Sequence, residues 1–243
     1  HLEIDANLHM ADMTGDGLTD VVRIRNGEVS YWPNLGYGRF GAKVTMGRAP
    51  VFAAAEDFDP DRLRLADVDG SGVTDLIYLA ADATWVYLNR SGNDFDAGHE
   101  LPSVPESAQI CDFEGSGTAS IVWSDPQSDR PRLRHMDLMG GIKPHLLQSF
   151  TNNMGAETVL EYSSSTRFYL ADAEAGSPWR TRLPFPVHVL ARVERIDHVS
   201  GTRYVSRYAY HDGCFDGVDR EFRGFGAVDQ WDTDEVPAVV EGV

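Results

Sequence analysis

Lysine and cysteine are nearly missing from this 243-residue chain. With only Lys43 and Lys143, almost every basic residue is arginine, which reads as genome bias. Base is scarce against acid: 21 basic residues face 38 acidic ones, for a net charge of −17. Residues 1–150 carry 12 basic against 23 acidic side chains, and residues 151–243 carry 9 against 15. That balance argues against nucleic acid, whose affinity comes from Lys and Arg neutralising phosphates. It suits a cation or a basic protein partner. Two cysteines, Cys111 and Cys214, allow one disulfide at most, so there is no disulfide scaffold, and both are expected as small core side chains. No apolar run approaches the ~18 residues of a membrane-spanning helix. The chain opens at His1 with no initiator Met and no signal-type apolar stretch, so its ends read as cut from something longer.

Catalytic patterns are missing too. Ser163-Ser164-Ser165 lacks a Gly-x-Ser-x-Gly elbow and reads as a polar loop. His211 and Cys214 have ligand chemistry at close spacing, but no second pair completes a zinc site. Carboxylates are too numerous for a glycosidase pair to be singled out. No segment longer than a turn or two shows helical periodicity, so no helix is expected to open on a phosphate-cradling glycine loop. The expectation is a protein that is not an enzyme.

What is present is a repeat. Asp12-Met-Thr-Gly-Asp-Gly-Leu-Thr-Asp20, Asp67-Val-Asp-Gly-Ser-Gly-Val-Thr-Asp75 and Asp112-Phe-Glu-Gly-Ser-Gly-Thr-Ala-Ser120 align without gaps. An apolar pair follows each: Val21-Val22, Leu76-Ile77 and Ile121-Val122. Strands are predicted over 20–25 and 28–32 around Asn26-Gly27, a strong hairpin signal because both turn positions need positive φ. The equivalent pairs are 75–80 with 84–88, and 120–124 with 132–137 across a polar loop holding Pro126 and Pro131. Asn34 and Asn89 close the first two return strands, and outer strands are predicted at 43–46, 97–101 and 142–147. Four short antiparallel strands every ~45–55 residues are the pattern of a β-propeller blade. Three blades are too few to close a ring.

Residues 151–243 change character. Longer alternating strands are predicted over 157–162, 186–197, 202–210 and 224–231, with turns at Ser200-Gly201, Asp212-Gly213 and Asp216-Gly217. Gly224 and Gly226 interrupt a strand, which suggests a bulge or a close backbone approach. Residues 171–184 read as a long loop. The expected fold is therefore all-β: a partial propeller of about three four-stranded blades over 1–150, then an antiparallel sheet over 151–243.

The nonapeptides are the candidate metal sites. A hard cation such as Ca²⁺ takes six to eight oxygens. Side chains at loop positions 1, 3, 5 and 9 can wrap it, and Gly at positions 4 and 6 permits the turn. The candidate ligands are Asp12, Thr14, Asp16 and Asp20 in the first loop, and Asp67, Asp69, Ser71 and Asp75 in the second. The third loop, with Asp112, Glu114, Ser116 and Ser120, is poorer in charge and is expected to stay empty. The competing reading is Asx-type turns, with these side chains bonding their own backbone and no metal.

Several later segments carry a resemblance. Asn153-Met-Gly-Ala-Glu-Thr-Val-Leu-Glu-Tyr162, Trp179-Arg-Thr-Arg-Leu-Pro-Phe-Pro-Val-His188, Tyr208-Ala-Tyr-His-Asp-Gly213 and Arg220-Glu-Phe-Arg-Gly-Phe-Gly226 resemble the middle region of the TcB subunits of insecticidal toxin complexes, the TcdB/SpvB-like family. The nonapeptides resemble the FG-GAP/VCBS repeats that precede that region in the same family. The resemblance implies a secreted bacterial toxin in which TcB and TcC (RHS-type) subunits form a hollow β shell around a toxic enzyme. It also implies a TcB propeller docked on the TcA pore-forming subunit. Residues 1–150 would end the propeller and 151–243 would begin the shell or connect to it, and no catalytic residue is carried over. Two rival readings are a Ca²⁺-dependent adhesion or carbohydrate-binding propeller, using Tyr31, Trp32, Tyr37 and Trp85, and the non-catalytic part of an SpvB-like ADP-ribosyltransferase.

Overall fold

The structure is a computed structural model, and it describes residues 7–125 and 132–235. The expected polar loop with Pro126 and Pro131 lies outside the described residues. The chain divides into two compact units. One comprises the residues up to Glu114 together with Thr118–His145, and the other comprises Gly115–Gly117 and the residues from Leu146 on.

The first unit is a run of antiparallel sheets. β1 (Leu8–Ala11), β2 (Asp20–Arg25), β3 (Glu28–Trp32) and β4 (Val44–Thr45) pair in sequence order. The next group contains β5 (Leu63–Ala66), β6 (Asp75–Leu79), β7 (Ala83–Tyr87), β8 (Asn89–Arg90), β9 (Asp94–Phe95) and β10 (His99–Pro102). In it β5, β6, β7 and β10 form a second four-stranded sheet, and β8 pairs with β9 as a separate ribbon. The third sheet has three strands: β11 (Gln109–Cys111), β12 (Ser120–Asp125) and β13 (Arg132–Asp137). Its expected fourth strand at 142–147 does not form; those residues are irregular, with a bend at Pro144-His145, and Lys143 and His145 instead reach the second nonapeptide.

The three nonapeptides occupy one equivalent corner, between the first and second strands of each sheet. The residue before each loop pairs with the loop's last residue: Ala11 with Asp20, Ala66 with Asp75, Cys111 with Ser120. The glycines at positions 4 and 6 have positive φ in all three copies, which only glycine adopts without a Cβ clash.

β6 shows how the first unit is held together. All five of its residues are buried, and the four after Asp75 alternate between two cores. Leu76 and Tyr78 join Met13, Val22, Ile24, Val29 and Phe95 on one side. Ile77 and Leu79 join Val68, Val86, Val104 and Ile121 on the other. The middle sheet is thus covered on both faces, and each fully buried Leu or Ile contributes about 1.5–3 kcal/mol. Cys111 departs from its expected place in a core: it is exposed, and Cys214 is only partly covered. Cys111 ends a short outer strand whose alternation turns it outward.

The second unit is a five-stranded antiparallel sheet in sequence order. Its strands are β14 (Ser149–Thr151), β15 (Ala156–Ser164), β16 (His188–Asp197), β17 (Thr202–Asp216) and β18 (Glu221–Glu235). Between β15 and β16 lies a helix, α1 (Ser165–Glu174), where no helix was expected and where the serine run and residues 171–184 read as loops. Ser164 is its N-cap, accepting from the Thr166 N–H, and the Ser165 hydroxyl accepts from the Val187 N–H. The serine run is therefore a helix start and not a plain loop. Asp212-Gly213 is no turn either. It lies within β17, where Asp212 takes a φ of 54° and drops out of the ladder, while Asp216-Gly217 does begin the β17–β18 turn. The irregularity expected near Gly224 is present: the register shifts beside Cys214, and Gly224 has a φ of 93°.

Candidate functional site

The last residue of each of the first two loops is a buried clamp. Asp20 and Asp75 are both fully buried. Asp20 Oδ2 accepts from the Met13 N–H and its Oδ1 from the Asn34 N–H. Asp75 repeats this with the Val68 and Asn89 N–H groups. Asn34 and Asn89 complete the device: each side-chain amide donates to the carbonyl before the clamping aspartate, Thr19 or Thr74. One carboxylate thus ties the loop's second residue to the end of the return strand.

The first residue of each loop organises the turn. Asp12 accepts from the backbone of Thr14, Gly15 and Gly17, and Asp67 from Ser71 and Gly72. Asp16 accepts from the Leu18 N–H, and Asp69 from the Ser71 N–H. Thr14 Oγ1 donates to Asp12. These are the Asx-type bonds weighed against metal binding.

The two loops differ in how far their acids converge. Asp67, Asp69 and Asp75 bring ligand oxygens within 4.8 Å of one another, and among the described residues they are the group of three acidic, His or Cys side chains that does so. Burial pushes the Asp75 carboxyl up to about 7, against the two N–H groups it accepts, and Asp69 and Asp67 push the same way. Burial alone would raise Asp69 as well, but hydrogen bonds from His145 and Ser71 outweigh it and hold that carboxyl low. His145 lies 2.8 Å from Asp69, and Lys143 Nζ donates to the Gly70 carbonyl. Basic groups from beyond the third sheet therefore already answer part of this loop's charge.

The third loop is different in kind. Ser120 is buried but carries no charge, and Glu114 pairs with His135 at 2.8 Å. Its glycines Gly115–Gly117 group with the second unit, where the Ser164 hydroxyl donates to the Gly115 carbonyl. Among the aromatics offered for carbohydrate, Tyr31 is buried, Trp32 and Trp85 are partly covered, and Tyr37 is fully exposed.

In the second unit, three segments singled out by their sequence pack on one another. Trp179 lies edge-on to Phe225 at 6.0 Å and to Tyr169 at 5.5 Å. A Cβ on Gly213 would meet the Trp179 ring at 2.6 Å, and a Cβ on Gly226 would meet that of Asp212 at 2.9 Å. Both glycines are there for closeness and not for φ. The Arg180 N–H donates to Asp212, the Thr181 hydroxyl to the Gly213 carbonyl, and the Phe215 N–H to the Arg182 carbonyl. Tyr210 joins Phe168 and Phe225 at 5.5 and 4.9 Å. The strap of α1 and the residues after it is thereby fastened to β17 and β18.

A polar knot lies within this packing. Asp172 of α1 accepts from both the Trp179 indole and His211 Nδ1, each at 2.7 Å. The other ring nitrogen of His211 is 3.5 Å from Asp229. The bond to Asp172 raises the His211 pKa, against burial, and Asp229 adds to the rise. The sequence marks His211 as an incomplete zinc ligand and as part of the Tyr208–Gly213 motif; its partner lies in a helix that was not foreseen.

Known proteins match the chain at this point. The family model for the insecticide toxin TcdB middle/N-terminal region matches residues 97–239. Crystal structures of TcdB2-TccC3 and of TcdB2-TccC3-Cdc42 are similar over 96% of the chain, each at 37% identity with a TM-score of 0.83. The structure of the Photorhabdus luminescens Tc holotoxin pore is similar over the same share, at 38% identity and a TM-score of 0.84. The chain spans 11–12% of the length of those solved chains. Nothing among the curated proteins matches it. The packed Trp179, Gly213 and Phe225 segments lie inside the matched region, and the chain belongs to the insecticide toxin TcdB middle/N-terminal region family.

Proposed function

We propose that this chain is a non-catalytic assembly segment of a bacterial toxin-complex TcB subunit. The first unit supplies propeller blades that dock on a pore-forming subunit, and the second supplies the start of a shell closed with a TcC-type subunit around a toxic enzyme. The observation that carries this reading is the similarity along nearly the whole chain to parts of TcdB2-TccC3 and of a Tc holotoxin pore, at 37–38% identity. The architecture supports it: three sheets in sequence with cores shared between neighbours suit a propeller wall, and a long-stranded sheet suits a shell. The working protein acts outside the bacterium in this reading. Among the described residues no helix is long and apolar enough to cross a membrane.

Ca²⁺ enters the proposal at the second loop, where Asp67, Asp69 and Asp75 converge and the Ser71 N–H donates to Asp67 and Asp69. In the first loop Asp12, Asp16 and Asp20 serve chiefly as acceptors that hold the turn, and Thr14 donates to Asp12. Co-expression of the complete protein with a TcC-type subunit, followed by size-exclusion chromatography, tests the assembly reading. The two are expected to elute as one complex that then binds a pore-forming subunit. Separate elution under all conditions would contradict it.

A further inference from the structure

The first unit contains a cavity of about 570 Å³ that plays no part in the nonapeptide corners. Its size falls within the range of ligand sites, roughly 300–1,000 Å³. Phe52, Tyr78 and Trp85 line it, with Asp57, Asp59, Asp82 and Arg62 among the charged groups around it. The aromatic floor is fixed: Phe52 and Tyr78 are buried with ring centroids 5.1 Å apart, and the Tyr78 hydroxyl accepts from the Asp59 N–H. Trp85 is different, being only partly covered, with Tyr87 stacked on it at 6.4 Å.

The charges around the cavity do not cancel. Arg62 lies 3.7 Å from both Asp59 and Glu106, so Asp59 has a counter-ion. Asp57 and Asp82 are exposed, and neither carboxylate is paired among the described residues. An aromatic face beside two uncompensated carboxylates favours a cation, through the ring quadrupole and through simple attraction. A planar guanidinium suits it better than an ammonium, because it stacks flat on an indole while its fork of donors reaches carboxylates. The excess of acid in this half of the chain, 23 residues against 12, favours the approach of a basic partner.

We propose that this cavity receives an arginine side chain from a basic segment of a partner protein, with the guanidinium against Trp85 and its donors shared between Asp57 and Asp82. The inference rests on the assembly reading and deepens it by giving the chemistry of one contact. The test is an NMR titration of the protein with N-acetyl-arginine amide, following the tryptophan indole N–H signals, with Trp85 identified through Trp85→Phe. A saturable shift of the Trp85 signal at millimolar concentrations is expected. N-acetyl-citrulline amide, which is isosteric and neutral, should bind at least about tenfold more weakly. The double variant Asp57→Asn/Asp82→Asn changes two exposed side chains and should remain folded, with binding weakened about fivefold. Equal binding of the citrulline compound, an unchanged double variant, no saturable shift, or saturation by N-acetylglucosamine instead would each overturn the proposal. If toxin subunits still co-elute while the titration fails, the arginine site is wrong and the assembly reading stands.

Discussion

At the scale of single residues, the repeat is a device for burying one carboxylate. Asp20 and Asp75 each accept two backbone N–H bonds in a dry corner, and removing either side chain leaves two buried donors without a partner. Asp20→Ala and Asp75→Ala should therefore each cost about 2–4 kcal/mol, read as a shift in urea midpoint at constant slope. Ser120→Ala, with no charge at stake, should cost less. If the two Asp variants unfold like the parent chain, the clamp is not structural. Ca²⁺ makes a separate prediction. It should stabilise the fold through the second loop by about 2.7 kcal/mol at a hundredfold excess over Kd, read as a higher melting temperature. Asp67→Ala or Asp69→Ala should remove that gain, while Asp16→Ala should leave it. A melting temperature unmoved by millimolar Ca²⁺ would reduce all three loops to turns. The spacing of these acids was legible in the sequence because glycine at positions 4 and 6 forces the turn. Their division of labour was not, since it depends on Asn34 and Asn89, fourteen residues away along the chain.

At the scale of elements, the strands of the repeat were legible and the helix was not. Residues 20–25, 28–32 and 132–137 form the strands expected of them, because alternation and turn residues agree there. α1 has no apolar stripe: its only buried residue is Ser165, and its larger side chains fall together at Phe168-Tyr169-Leu170. Packing by neighbours decides it, with Phe168 on Tyr210 and Tyr169 on Trp179. The signal that was available was Ser164 as a cap ahead of good helix formers at Leu170, Ala171, Ala173 and Glu174. The missing strand at 142–147 failed for the same reason in reverse, since Lys143 and His145 have partners in the second loop that local pattern cannot reveal.

The hold on α1 should depend on pH. His211 has a raised pKa in the fold, mainly through Asp172, so the folded chain binds that proton more tightly than the unfolded one. Its stabilising contribution is complete below the unfolded value, about 6.5, and is lost as pH rises through the higher folded value. Hydrogen exchange over residues 165–184, corrected for intrinsic rates, should quicken between pH 6 and pH 8.5. His211→Ala should exchange quickly at both. A strap whose protection ignores both pH and the substitution would show that the aromatic packing alone holds it.

At the scale of the whole molecule, the chain joins two kinds of β structure. The first unit builds short sheets that share cores, so a sheet such as the one containing β6 depends on neighbours on both faces. The second unit is one long-stranded sheet that presents β18 at its edge, fifteen residues of backbone with pairing on one side among the described strands. Extended edges of this kind are surfaces for further strands or partners. The family was legible because its motifs are contacts: Trp179 needs the bare backbone of Gly213, and Asp212 needs that of Gly226. The central claim is that the chain works by assembly, with the first unit meeting the pore-forming subunit. Hydrogen exchange on the complete protein, alone and bound to that subunit, tests it most directly. The account predicts new protection within residues 7–145 on binding and little change in residues 146–235. Complex formation that leaves residues 7–145 unprotected would contradict it.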